Sequence, residues 1–158
     1  MISFDTNLLF PALEPSHRDH QPAKRWLTAL DGEVAISELV LMELYVLVRN
    51  PTIAARPLGP AQAVALIETL RTNPRWRLLD APEGIMAVTW KKAAEPGFGR
   101  RRIFDARIGV SLVHQGVTEL ATRNVDDFQG LGFARVFDPL ARPDGRRTVT
   151  APEPHPSG

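Results

Sequence analysis

Four short stretches of this chain carry acidic side chains at the edges of apolar runs. Asp5 follows Ile2, Ser3 and Phe4. Glu43 interrupts the run from Leu39 to Val48. Asp105 follows Ile103 and Phe104, and Asp126 and Asp127 close a segment that begins at Thr122. A carboxylate among apolar neighbours is costly to desolvate unless a cation or another partner compensates it. Several of them converging on one spot would form a site for a hard cation, because Mg²⁺ and Mn²⁺ favour carboxylate oxygens.

Each stretch also has a purely structural reading. Asp5 at a strand end suits a helix N-cap, with Thr6 and Asn7 holding its carboxylate or its turn. Glu43 lies in a helix that is apolar almost all round, which predicts burial and a salt bridge to Arg49 or Lys24. Asp105 opens a helix, where its charge meets the positive end of the helix dipole. Thr122, Asn124, Asp126 and Asp127 place several oxygen ligands just past a strand, and read equally as a capped turn. Arg100, Arg101 and Arg102 follow a Gly-rich loop. They are either phosphate-binding guanidiniums or a solvated charge run.

Strands and helices alternate around these stretches. Ile2 to Phe4 reads as a short buried strand and Thr6 to Leu13 as a helix halted near Pro15. Ser16 is the expected N-cap of a helix from His17 to Leu30, with Pro22 as an alternative start. Val34 to Ile36 is a strand, and Ser37 caps a helix to about Asn50. Pro60 opens the helix of Ala61 to Thr72. Trp76 to Leu79 is a strand, and Pro82 starts a helix to about Glu95. Ile103 to Gln115 is helical, with Gly116 as its cap. Val117 to Ala121 is a strand, Val125 to Leu131 a short helix, and Arg135 to Phe137 the last strand. This order predicts a three-layer α/β/α domain over residues 1–140 with a central, mostly parallel sheet. Ligands bind beyond the carboxyl ends of such strands, so the topology itself gathers the four acidic stretches at one end. The Pro-rich segment 141–158 reads as a flexible tail.

Composition narrows the rest. The chain has 158 residues, a formal net charge of +1 and no Cys, which removes disulfides, thiolate metal sites and a Cys nucleophile. No apolar run is long enough to span a bilayer, and the N-terminus carries no signal-peptide pattern, so a cytoplasmic protein without membrane contact is expected. His17, His20, His114 and His155 show no metal-ligand spacing. No phosphate-binding or dinucleotide fingerprint is present.

Taken together, Asp5-Thr6-Asn7, Ser37 to Leu44, Phe104-Asp105-Ala106 and Ala121 to Phe128 resemble the motifs of PIN-domain nucleases, in particular VapC-like toxins of bacterial toxin–antitoxin pairs. The resemblance covers residues 1–140. It implies an acidic pocket, one or two Mg²⁺ or Mn²⁺ ions, and metal-dependent cleavage of RNA. By position Asp5, Glu43 and Asp105 match the family's most regular acids. Asn124 stands where a fourth acid often lies, and Asp127, one turn on, is the candidate to supply that charge. On this reading Thr6, Asn7 and Thr122 would support the site, while Arg100, Arg101, Arg102 and Arg123 would position the RNA backbone. The resemblance also implies a VapB-like antitoxin partner and a homodimer, with the Ser37 to Asn50 helix, through Leu41 and Tyr45, as the expected contact surface. A non-catalytic module that binds RNA or protein through a degenerate acidic pocket is the competing reading, motivated by Asn124. A phosphotransferase with Asp5 as nucleophile fits less well, because Asn7 replaces the second Asp that such a site wants.

Overall fold

Alternate residues along each short strand feed two separate apolar layers, and this alternation builds the fold. The computed structural model describes residues 1–141 and the backbone of residues 149–150. In chain order the elements are β1 (Ile2–Phe4), α1 (Thr6–Leu13), α2 (His20–Ala29), β2 (Val34–Ser37), α3 (Glu38–Arg49), α4 (Pro60–Arg71), β3 (Trp76–Leu79) and α5 (Ile85–Ala93). A 3₁₀ turn (Arg100–Arg102) follows, then α6 (Ile103–His114), β4 (Glu119–Ala121), α7 (Val125–Phe128), β5 (Arg135–Phe137) and β6 (Val149–Thr150).

The sheet runs β3-β2-β1-β4-β5-β6. β1 to β5 are parallel, and β6 joins β5 antiparallel. On β2, Val34 and Ile36 face one core with Phe4, Leu8, Leu41 and Leu44, under α1 to α4. Ala35 faces the other, with Leu79, Ile108, Leu112, Leu120 and Phe128, under α5 to α7. The three-layer α/β/α arrangement with a mostly parallel sheet is as expected. The segment read as a flexible tail lies largely outside the described residues. Within it, the backbone of Val149–Thr150 pairs antiparallel with β5.

Three helix boundaries differ from expectation for local reasons. α2 starts at His20, not His17. The Ser16 N–H and hydroxyl turn back to Glu14 at 3.2 and 2.7 Å instead of capping a helix. α5 starts at Ile85, not Pro82, because Gly84 adopts φ +77°, a left-handed conformation no α-helix accommodates. α7 stops at Phe128, since Gln129 is extended.

Gly109 is required on α6 by contact rather than by backbone angle. A Cβ there would stand 2.6 Å from Leu131 Cδ1 and 3.2 Å from Phe133 Cε2. Gly109→Ala is expected to destabilise by about 1 kcal/mol net. Overpacking costs roughly 1–3 kcal/mol, and about 1 kcal/mol of helix propensity offsets it. Urea denaturation measures the change, and a stabilised variant would show that Leu131 yields without cost.

Candidate active site

The sheet order reverses direction between β1 and β4, which leaves a crevice beyond their carboxyl ends. Asp5 follows β1 and Thr122 follows β4, and the Asp5 N–H donates to the Ala121 carbonyl at 3.0 Å. Asp5 is 8% exposed. It is the N-cap of α1, and its Oδ1 accepts the Thr6 N–H at 2.7 Å. Its Oδ2 accepts from Asn7 Nδ2 and Thr122 Oγ1, both at 2.7 Å. The capping reading of Asp5 holds, and the same position puts its carboxylate at the end of β1.

Asn7 and Thr122 tie the two strand ends together. Asn7 Nδ2 also donates to Thr122 Oγ1 at 3.0 Å, and Asn7 Oδ1 accepts the Arg123 N–H at 3.0 Å. Thr122 Oγ1 accepts the Asn124 N–H at 3.0 Å. The Thr6 hydroxyl donates to Glu43 Oε2 at 2.7 Å, linking α1 to α3. Ser37, whose hydroxyl accepts the Leu39 N–H, starts α3 at the end of β2.

The acids sense one another. Burial pushes the Asp5 carboxyl up from 3.8 to about 6. The nearby charges of Glu43 and Asp105 add to the rise, against the hydrogen bonds from Thr122 and Thr6. Half-buried Asp105 is also raised, first by burial, then by Asp127 and Glu43, with its own N–H and Arg102 opposing. Asp5, Glu43, Asp105 and Asp127 thus share one electrostatic neighbourhood. Asn124 is exposed at the N-cap of α7 and makes no side-chain capping bond.

Several expectations are corrected. Glu43 is exposed rather than buried, and α3 leaves part of its apolar surface uncovered. Met42 and Val46, one turn apart, are 64% and 61% exposed. No ion pair to Lys24 or Arg49 forms among the described residues. Arg49 instead donates to the Tyr45 hydroxyl at 2.6 Å. Leu41, expected on a contact surface, is completely buried in the core.

The arginines divide. Arg100 and Arg101 are exposed in the 3₁₀ turn. Arg102 and Arg123 have protein partners instead. Arg102 donates to the carbonyls of Asp127 and Gln129. Arg123 Nη1 pairs with Asp19 at 3.0 Å. Its Nε lies 2.9 Å from Asp138 Oδ2, near enough to attract but out of line for a hydrogen bond. Asp19 and Asp138 escaped the sequence reading, because nothing local marks a residue whose partner is more than a hundred positions away or on another element.

Among the described residues no three His, Asp or Glu side chains already stand close enough together to hold a metal ion. The donor set nevertheless fits a hard divalent cation. It is all oxygen and anionic, and burial first, with mutual repulsion adding to it, pushes the Asp5 and Asp105 carboxyls up. Glu43 and Asp127 are exposed, and the Thr6 hydroxyl already holds Glu43 Oε2.

Known proteins share this architecture. A family model described as PIN domain matches residues 2–134. Ribonuclease VapC24 of Mycobacterium tuberculosis is 47% identical over 143 residues, covering 89% of this chain and 97% of that protein. The crystal structure of Mycobacterium tuberculosis VapC20, a sarcin–ricin-loop-cleaving toxin, superposes with a TM-score of 0.62 at 17% identity, over 76% of this chain and 87% of that one. A toxin–antitoxin complex from Klebsiella pneumoniae gives 0.56 at 22% identity, over 88% and 98%. The two structural likenesses are of fold. The 47% identity over nearly the whole length is homology.

Proposed function

We propose that this chain, which belongs to the PIN-domain family, is a divalent-metal-dependent endoribonuclease and the toxin of a toxin–antitoxin pair. The observation that carries this reading is the coupling of Asp5, Glu43, Asp105 and Asp127 at the carboxyl end of β1 and β4. Homology to a ribonuclease supports it.

Asp5, Asp105 and Glu43 would hold Mg²⁺ or Mn²⁺, one ion or two, with Asp127 or Asn124 completing the set. Such an ion supplies a water of lowered pKa and neutralises phosphate charge. The protein's part is orientation. Asn7 and Thr122 hold Asp5 Oδ2 by two hydrogen bonds, so its carboxylate keeps one rotamer whether or not charge stands beside it. Thr6 steers Glu43 in the same way. Arg100 and Arg101 offer exposed guanidiniums for the RNA backbone just ahead of Asp105. No described helix is long and apolar enough to cross a membrane, and we place the reaction in the cytoplasm, where its RNA substrate is.

The partner would be a VapB-like antitoxin; solved structures of this fold include VapBC complexes. Exposed Met42 and Val46 on α3 are the apolar surface for it or for a second copy of the chain.

The test is an endonuclease assay of antitoxin-free protein on total and transfer RNA with Mn²⁺, Mg²⁺ or EDTA. Discrete fragments that require metal are expected. Absence of both cleavage and divalent binding would overturn the nuclease reading in favour of a non-catalytic binding module.

A further inference from the structure

Asp127 has little of its own to fix it. It lies in a four-residue helix, its side chain is exposed, and the next residue but one, Gln129, leaves the helix in extended conformation. Buried Phe128 and partly buried Val125 anchor the segment to the core. Beyond Phe128 the chain leaves the helix, and the constraint on that end comes from Arg102, in the turn just before α6. Its Nε donates to the Asp127 carbonyl at 2.7 Å, and its Nη2 donates to the Gln129 carbonyl. The guanidinium lies 5.6 Å from the centre of the Phe98 ring, which supports it from behind.

This geometry uses what an arginine alone provides. A planar fork with donors on separate nitrogens can span two carbonyls, where a lysine ammonium is a single point. The carbonyls at the end of a short helix have no partner within it, so the fork takes the place of a cap. Arg102 precedes Asp105 by one helical turn, and the same residue therefore ties the two acids' elements together. Its charge also partly offsets the raised carboxyl of Asp105.

We propose that Arg102 is a positioning residue: by holding the carbonyls of Asp127 and Gln129 against the start of α6, it sets where the Asp127 carboxylate stands relative to Asp105. The proposal rests on the metal-site reading above. It removes Arg102 from the RNA-contacting set, and it makes Asp127 the acid whose reach depends on the turn before α6.

The experiment is calorimetric titration of the full-length protein with Mn²⁺ alone, using wild type, Arg102→Gln, Asp127→Asn and the double variant. Thermal melts check folding. Arg102→Gln is expected to weaken Mn²⁺ binding about 10-fold, as losing a group that orients a ligand does. The double variant should bind no more weakly than Asp127→Asn, because Arg102 acts through Asp127. Arg102→Lys keeps the charge without the fork. It should match Arg102→Gln, and it serves if the glutamine variant does not fold. In EDTA, the salt dependence of affinity for a single-stranded oligoribonucleotide should be unchanged in these variants. A phosphate contact would instead remove about 0.7 from the log–log slope. Unchanged Mn²⁺ affinity in both Arg102 variants, multiplying effects in the double variant, or a reduced salt slope overturns the positioning role alone. Wild type that takes up no Mn²⁺ overturns the metal reading and this role with it.

Discussion

Asp105→Asn is expected to lower kcat/KM for RNA cleavage about 10³-fold, which is about 4 kcal/mol of transition-state stabilisation. The fold should not suffer. Asp105 is half-buried in the first turn of α6, and the one backbone donor that favours its ionised form is its own N–H. Its carboxylate therefore holds up no other element. Burial and the charges of Asp127 and Glu43 all disfavour its ionised form. Removing that charge relieves repulsion, so the metal-free variant should melt at or above the wild-type temperature. Activity and stability thus move in opposite directions. Kinetics with Mn²⁺ beside melts in EDTA check this. Activity within tenfold of wild type would remove Asp105 from the reaction, and a parallel loss of stability would mark it as structural.

The second large effect is pH dependence of stability in metal-free protein. The Asp5 carboxyl stands at about 6 in the folded chain against its ordinary 3.8. Between those values the folded state binds the proton and the unfolded state has released it. Stability is therefore fully present below about pH 4 as far as this group is concerned. It falls as pH rises through about 6. The loss is on the order of 3 kcal/mol, two pK units at about 1.4 kcal/mol each. Asp105 shifts in the same direction and adds to it. Asp5→Asn should flatten the profile. It also gives up the second carboxylate oxygen, so either the Thr6 N–H or the Asn7 and Thr122 donors lose their acceptor, and its absolute stability gains less than the full amount. Divalent metal should stabilise wild type more above pH 6 than below, because ligands must be deprotonated to bind. Urea denaturation in EDTA across pH 4.5 to 8 tests this, and a flat wild-type profile would contradict the burial argument.

The two effects have one origin. Carboxylates are held close together and partly out of water, at an energetic cost to the empty protein, in an arrangement that an added cation would relieve. The cost falls mainly on Asp5, the most enclosed of the four acids. Glu43 and Asp127 remain exposed.

Much of this was legible along the chain, for reasons that act within a few residues. Ser37 caps α3 because its hydroxyl reaches the Leu39 N–H two positions on. Pro60 stands at the first position of α4, where its missing N–H costs nothing. Gly116, at φ +85°, follows α6 in the conformation that stops a helix. Alternation of strands and helices then implied a parallel sheet, and a parallel sheet puts Asp5, Glu43, Asp105 and Thr122 at one end. Gly84 was a local signal read past, since a left-handed glycine marks a helix start as well as an end.

Other features were settled only when distant segments met. Whether Glu43 was buried depended on which side of α3 the sheet and α4 cover, and a helix apolar on nearly every side gives no period to decide it. Arg102 and Arg123 read like Arg100 and Arg101, as cations beside an acidic site. What separates them is that carbonyls 25 and 27 residues away, and carboxylates just before α2 and after β5, lie within reach of two guanidiniums and not of the others. Charge type is a property of the residue. Which charge is already satisfied is a property of packing, because a long side chain pairs with whatever the fold brings within about 3 Å of it.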